Sequence, residues 1–183
     1  MTEENFIERL QCWIKQDLIN MRGIRPVSGC GGCNFPIVLY TLSCMEWLGF
    51  LLRDCGASAT QLDKTLENLD GCLDFFDVKY HDIRIRNIIK LLFRHGLVHQ
   101  FGPKFSGISR GYHFDPPIAF HGLIPVLDAD QLANDFIKAV DKITEGIVKG
   151  EIDYNKINRK IEFIFKNDYK EFEKLIVTFG NTN

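Results

Sequence analysis

The sequence predicts a mainly all-α fold: a compact bundle of about five to six helices, with a small irregular or β-hairpin insert around 97–127. Three observations predict it. Apolar residues recur at spacings of three and four through most of the chain, which is the period of a helix face. That period fails between Leu97 and Leu127, where glycine and proline cluster. Fifteen phenylalanines and a hydrophobic fraction of 45% supply the area for one core. A length of 183 residues suits a single domain. Its core is expected at 3–100 and 129–147, with an insert at 101–127 and a C-terminal helix at 153–177.

Phe6, Leu10, Trp13, Ile14, Leu18 and Met21 define an amphipathic helix over roughly 3–21. The turn S-G-C-G-G-C-N at 28–34 follows. Asn34 suits an N-cap and Pro36 a first turn, so a second helix is expected from there to near Gly56. Its stretch Phe35 to Leu52 is very apolar, but Thr41, Ser43 and Glu46 make it a buried helix rather than a membrane span. Leu62, Leu66, Leu69 and Leu73 mark a third helix, with Ser58 or Thr60 at its start. Ile85, Ile88, Ile89 and Leu92 form the apolar face of a fourth, with Gly96 as its stop. On that helix Arg94 projects about 180° from the apolar face, toward Asn87 and Lys90. In the insert, L-V-H-Q-F and I-A-F-H-G-L-I-P-V-L read as β-like pieces. Asp128 or Asp130 then caps a helix carrying Leu132, Phe136, Val140 and Ile143. The last helix carries Ile157, Ile161, Phe165, Phe172 and Ile176.

A net charge of −2 excludes a general polyanion binder, so any nucleic-acid role needs a local patch. The start MTEENFIERL has no basic region followed by an apolar run, and a cytoplasmic protein is expected. Most of the six cysteines are then expected as free buried thiols. Cys30-Gly-Gly-Cys33 lacks a second ligand pair for zinc and a βαβ setting for redox work, and His113 and His121 have no ligand spacing. No metal or cofactor is expected. Walker-type and G-x-G-x-x-G motifs are absent from the sequence.

One segment is charged unevenly. Residues 83–113 hold Arg84, Arg86, Lys90, Arg94, Lys104 and Arg110, three histidines, and no Asp or Glu. The stretch before it, 54–82, is acidic. Two uses are open: phosphate binding by the patch, or internal neutralisation by an acidic third helix packed beside a basic fourth. Within this segment Arg94-His95-Gly96-Leu97-Val98-His99 places an arginine and a histidine five apart. Those residue types suit metal-free RNA cleavage. Histidine exchanges protons near neutral pH, and arginine offers a permanently charged fork to phosphate oxygens.

At these residues the chain resembles the HEPN superfamily, compact helical bundles marked by R-x4–6-H, often with a polar residue directly after the arginine. His95 occupies that polar position. The resemblance covers roughly 3–100 and the helix at 129–147. It implies a metal-independent endoribonuclease of toxin–antitoxin, phage-exclusion or CRISPR-linked type, or an inactive module binding RNA, nucleotide or a protein. It also implies a homodimer pairing two motifs, and an antitoxin or defence-system partner. Carried over by position, His99 is the acid/base, Arg94 the phosphate clamp, and His95 an orienting or second proton-handling group. Arg84, Arg86, Lys90, Lys104 and Arg110 are candidate RNA contacts. Asn87 and Glu46 are candidates for orienting the site. Glu46 is the one charged residue between Phe35 and Leu52. A buried carboxylate needs a partner. Arg94 or His99 is one solution; a structural pair with another arginine, such as Arg86, is the preferred one.

Overall fold

The structure, a computed structural model, describes residues 1–25, 33–100, 105–112, 114–115 and 117–180, without the side chains of 98–100 and 174–180. The Thr2 hydroxyl accepts from the Asn5 amide and caps α1 (Glu3–Glu8). The helix runs on through a π-helical stretch, Arg9–Lys15, into α2 (Gln16–Gly23). Its buried residues are Phe6, Leu10, Ile14 and Leu18, four apart each time. The wider π turn explains that spacing. It also turns Trp13, expected in the core, out to 58% exposure.

α3 (Asn34–Leu52) is the central element and packs against α5 (Thr65–Leu73) and α8 (Ala129–Val148). Among the described residues it is the one helix long and apolar enough to cross a membrane, and half of it is buried inside the fold. Its cap position is Cys33, in a left-handed conformation at φ 59°, and Asn34 is already helical rather than the cap. It ends at Leu52, short of Gly56. Gly49 lets α5 approach closely: a Cβ there would lie 1.6 Å from the Asn68 carbonyl oxygen. A four-residue α4 (Ala59–Leu62), capped by Ser58, leads into α5.

Beyond a 3-10 turn at Val78–Tyr80, α6 (Ile83–Ile88) passes through a second π-helical stretch, Ile89–Arg94, into α7 (His95–Gln100). The helix therefore does not stop at Gly96, which is buried inside it. L-V-H-Q, expected to be β-like, is helical. The buried residues are Ile89, Phe93 and Leu97, again four apart, while Ile85, Ile88 and Leu92 are only partly covered. The extra residue in the π turn rotates the face away from the one a period of 3.6 predicts.

The insert folds as a three-stranded sheet in the order β1 (Gly107–Ser109), β3 (Ile124–Asp128), β2 (Ile118–His121). β2 and β3 form an antiparallel hairpin through Gly122 at φ 63°. β1 joins β3 in parallel, pairing Gly107 with Val126. Asp128 ends β3 and caps α8, accepting from the Gln131 amide at 3.1 Å, while its other oxygen accepts from the Tyr112 amide at 2.8 Å. α8 buries Leu132, Phe136, Val140 and Ile143. α9 (Tyr154–Gly180) buries Ile157 and Ile161, but Phe165 and Phe172 are 52% and 57% exposed rather than in the core.

Candidate functional site

Arg94 sits at the end of the π-helical stretch, directly after buried Phe93. It does not turn to open solvent with Asn87. Its side chain is 13% exposed and faces α3, where Nη2 donates to Glu46 Oε2 at 2.7 Å and Nε donates to Oε1. The partner of Glu46 is thus Arg94 and not Arg86. The rotation of the π turn that moves the apolar face brings Arg94 round to α3 with it. A side-on pair uses Nε and one edge of Nη2, so three of the five N–H groups lie outside it. A guanidinium held in this way is oriented and part-neutralised at once.

His95 is exposed at the start of α7. The His99 backbone belongs to α7, and its side chain lies outside the described residues. Asn87 is exposed on α6 and makes no hydrogen bond to the Glu46–Arg94 pair.

The other described cations of the basic segment, Arg84, Arg86, Lys90 and Arg110, are occupied within the chain. Arg86 is 13% exposed, donates to the Tyr80 carbonyl at 2.8 Å, and pairs with Asp74 at 2.9 Å. Lys90 is 12% exposed and pairs with Asp70 at 2.7 Å. Acidic α5 therefore neutralises the basic helix beside it. Arg110 joins three elements: it holds Asp130 at the start of α8 at 3.0 Å and donates to the Ile24 and Arg22 carbonyls at the end of α2. Arg84 is 83% exposed and folds back on Asp82 at 2.6 Å. Hydrogen bonds from the Arg84 side chain and amide hold the Asp82 carboxyl down to about 2. An apolar groove of about 550 Å³ opens beside this pair, lined by Val78, Ile85, Ile88 and Phe120. Lys104 lies outside the described residues, as do Cys30 and His113.

Cys33 caps α3, and His121 is exposed on β2. The described cysteines are free, but only Cys72 is fully buried, and Cys12 is exposed. Burial pushes the Cys44 thiol up to about 12, which makes it a poor nucleophile. Among the described residues no three His, Cys, Asp or Glu side chains converge as a metal site would need.

Two buried polar clusters escaped the sequence reading. Asp135 on α8 accepts from Tyr80 Oη at 2.8 Å and from Gln131 and Lys79. Lys160 on α9, 4% exposed, donates to the Phe50 carbonyl at 2.8 Å and to the Arg53 carbonyl. The signal for both lies in the sequence. Asp135 adjoins Phe136, and Lys160 adjoins Ile161, so each places a charge at the edge of an apolar helix face.

Comparison of the chain with protein-family models, with curated proteins and with solved structures finds no match.

Proposed function

We propose that the chain is a HEPN-like domain acting as a cytoplasmic, metal-independent endoribonuclease of the toxin or anti-phage defence kind. A 2′-hydroxyl attacks the adjacent phosphorus and the bond to the 5′-oxygen breaks, leaving a 2′,3′-cyclic phosphate and a 5′-hydroxyl. His99 removes the proton from the 2′-hydroxyl or returns one to the 5′-oxygen, and His95 handles the other transfer. Arg94 binds the non-bridging oxygens as charge builds on them. The chain works as a homodimer, with an antitoxin or defence protein as its regulator. The observation that carries this reading is the side-on Glu46–Arg94 pair, which orients the motif arginine and leaves the Nη1 edge outside the pair.

A second reading is a catalytically inactive HEPN-like module that binds RNA, nucleotide or a protein. A separate observation favours it: Arg86, Lys90 and Arg110 are each paired with a carboxylate of the same chain. Such pairs weaken the field a polyanion would meet.

The test incubates wild type and His99→Ala with total RNA in EDTA and identifies the end groups. Cleavage by wild type alone, leaving cyclic phosphate, supports the ribonuclease. Binding by both without cleavage supports the inactive module. Equal cleavage by both sinks the assigned role of His99.

A further inference from the structure

The distal half of α9 leaves the body of the protein with an unpartnered aromatic stripe. Its base is fixed, since Ile157 and Ile161 are buried. Beyond them Phe165, Tyr169 and Phe172 are 52%, 62% and 57% exposed. Their spacings of four and three put them on one face. Such spacing is that of a coiled-coil seam, with Phe165 and Phe172 at d and Tyr169 at a. Single exposed apolar residues are ordinary, but three aromatics in register on one helix are a docking face.

The charges beside the stripe select the occupant. In this register Lys166 and Glu173 fall at e and Asp168 at g, all exposed. Two copies packed in parallel would set g against e, and so Asp168 against Glu173 of the second copy, a like-charge contact. Packed antiparallel, e meets e, and Lys166 faces Glu173 of the second copy twice by symmetry. An anionic membrane would meet acidic residues on both flanks of the stripe, contrary to the basic face such binding uses.

We infer that the distal half of α9 is a self-association surface that pairs antiparallel with α9 of a second copy, through Phe165, Tyr169 and Phe172 flanked by Lys166–Glu173 ion pairs. This contact lies outside the segment that resembles a HEPN domain and does not depend on the ribonuclease reading. The seam is short, so the dimer is concentration-dependent rather than permanent.

The test is sedimentation equilibrium of the full chain from micromolar to near-millimolar concentration. Wild type should rise with concentration toward twice its low-concentration mass, one chain being 21.1 kDa. Tyr169→Glu with Phe172→Glu should keep the low-concentration mass throughout, with an unchanged circular dichroism spectrum, because both side chains already face water. Lys166→Glu should weaken association about tenfold by setting like charges together, and adding Glu173→Lys should restore it. A wild-type mass that does not change with concentration overturns the proposal. So does a concentration-dependent rise in mass that survives the double glutamate variant, or a charge swap that restores nothing. Binding of wild type to anionic vesicles without self-association would also overturn it and give the stripe to a membrane.

Discussion

The Arg94 guanidinium lies side-on against the Glu46 carboxylate and ties the π-helical end of one helix to the middle of another. Both side chains are 13% exposed, so neither partner can turn fully to water if the other is removed. Glu46→Ala should therefore cost about 2–3 kcal/mol, most of it from the uncompensated charge on Arg94. Adding Arg94→Ala should cost less than the sum of the two single changes, with a coupling of about 1–2 kcal/mol. Urea unfolding of the four proteins measures this cycle. Strict additivity would mean that the pair is not formed in solution.

α3 and α5 touch backbone to backbone at Gly49. An added methyl would lie 1.6 Å from the Asn68 carbonyl oxygen and 3.0 Å from the Cys72 nitrogen, and neither group can move without shifting the helix. Gly49→Ala should lose more than about 3 kcal/mol or fail to fold. Gly71→Ala is the control. Its methyl meets the Arg53 side chain at 2.4 Å and the Gly49 carbonyl oxygen at 3.1 Å, so Arg53 must shift against its bonds to Asn68 and Glu67, and a smaller loss of about 1–2 kcal/mol is expected, offset in part by the better helix propensity of alanine. Equal losses in thermal unfolding would show that helix propensity, not the close approach, sets the effect.

The same two features explain how much of the molecule is legible in its sequence. The buried nature of α3, the capping of α8 from Asp128, and the hairpin at Ile118–Asp128 follow from composition and local turn chemistry. The buried faces of the first and fourth helices do not. Both contain π-helical turns, at Arg9–Lys15 and Ile89–Arg94, and a period of 3.6 assigns their faces to the wrong residues. The π turn accounts for the direction of Arg94, whereas Gly96, which reads as a helix stop, is buried inside a helix that runs on. β1 has no local signal, because its three residues pair with a strand that comes later in the chain, a long-range choice. The choice between a phosphate-binding patch and internal neutralisation needed the positions of Asp70 and Asp74 relative to Arg86 and Lys90. Charge composition alone leaves both open.

Asp135 should contribute to the acid sensitivity of the fold. Burial raises this carboxyl, but hydrogen bonds from Gln131, Lys79 and Tyr80 outweigh burial and hold it below its ordinary value. The folded pKa is thus lower than the unfolded one, so the folded state binds fewer protons in between. The stability from this group is fully present above about pH 4, the unfolded carboxyl value, and is lost as pH falls through the folded value. Asp135→Asn should be less stable than wild type at neutral pH, and the gap should close below about pH 4. Thermal melts across that range test it. A gap that stays constant with pH would remove Asp135 from the acid response.

Lys160 gives a sharper test of how α9 is fixed to the core. Its ammonium donates to the Phe50 carbonyl at 2.8 Å, the Leu51 carbonyl at 3.4 Å and the Arg53 carbonyl, all at the C-terminal end of α3. These are the acceptors a helix end leaves without partners, and a cation there also complements the helix dipole. Against this, burial disfavours the charge and draws the Lys160 pKa below its ordinary value. Lys160→Met keeps the stem and removes both the bonds and the desolvation penalty, so the two effects offset. The global loss should be only about 1–2 kcal/mol. The local effect should be larger in proportion. Hydrogen exchange should speed up in the last turn of α3 and the first turns of α9, while the middle of α3 stays protected. A uniform change in protection would mean that Lys160 acts through overall packing and does not cap the helix.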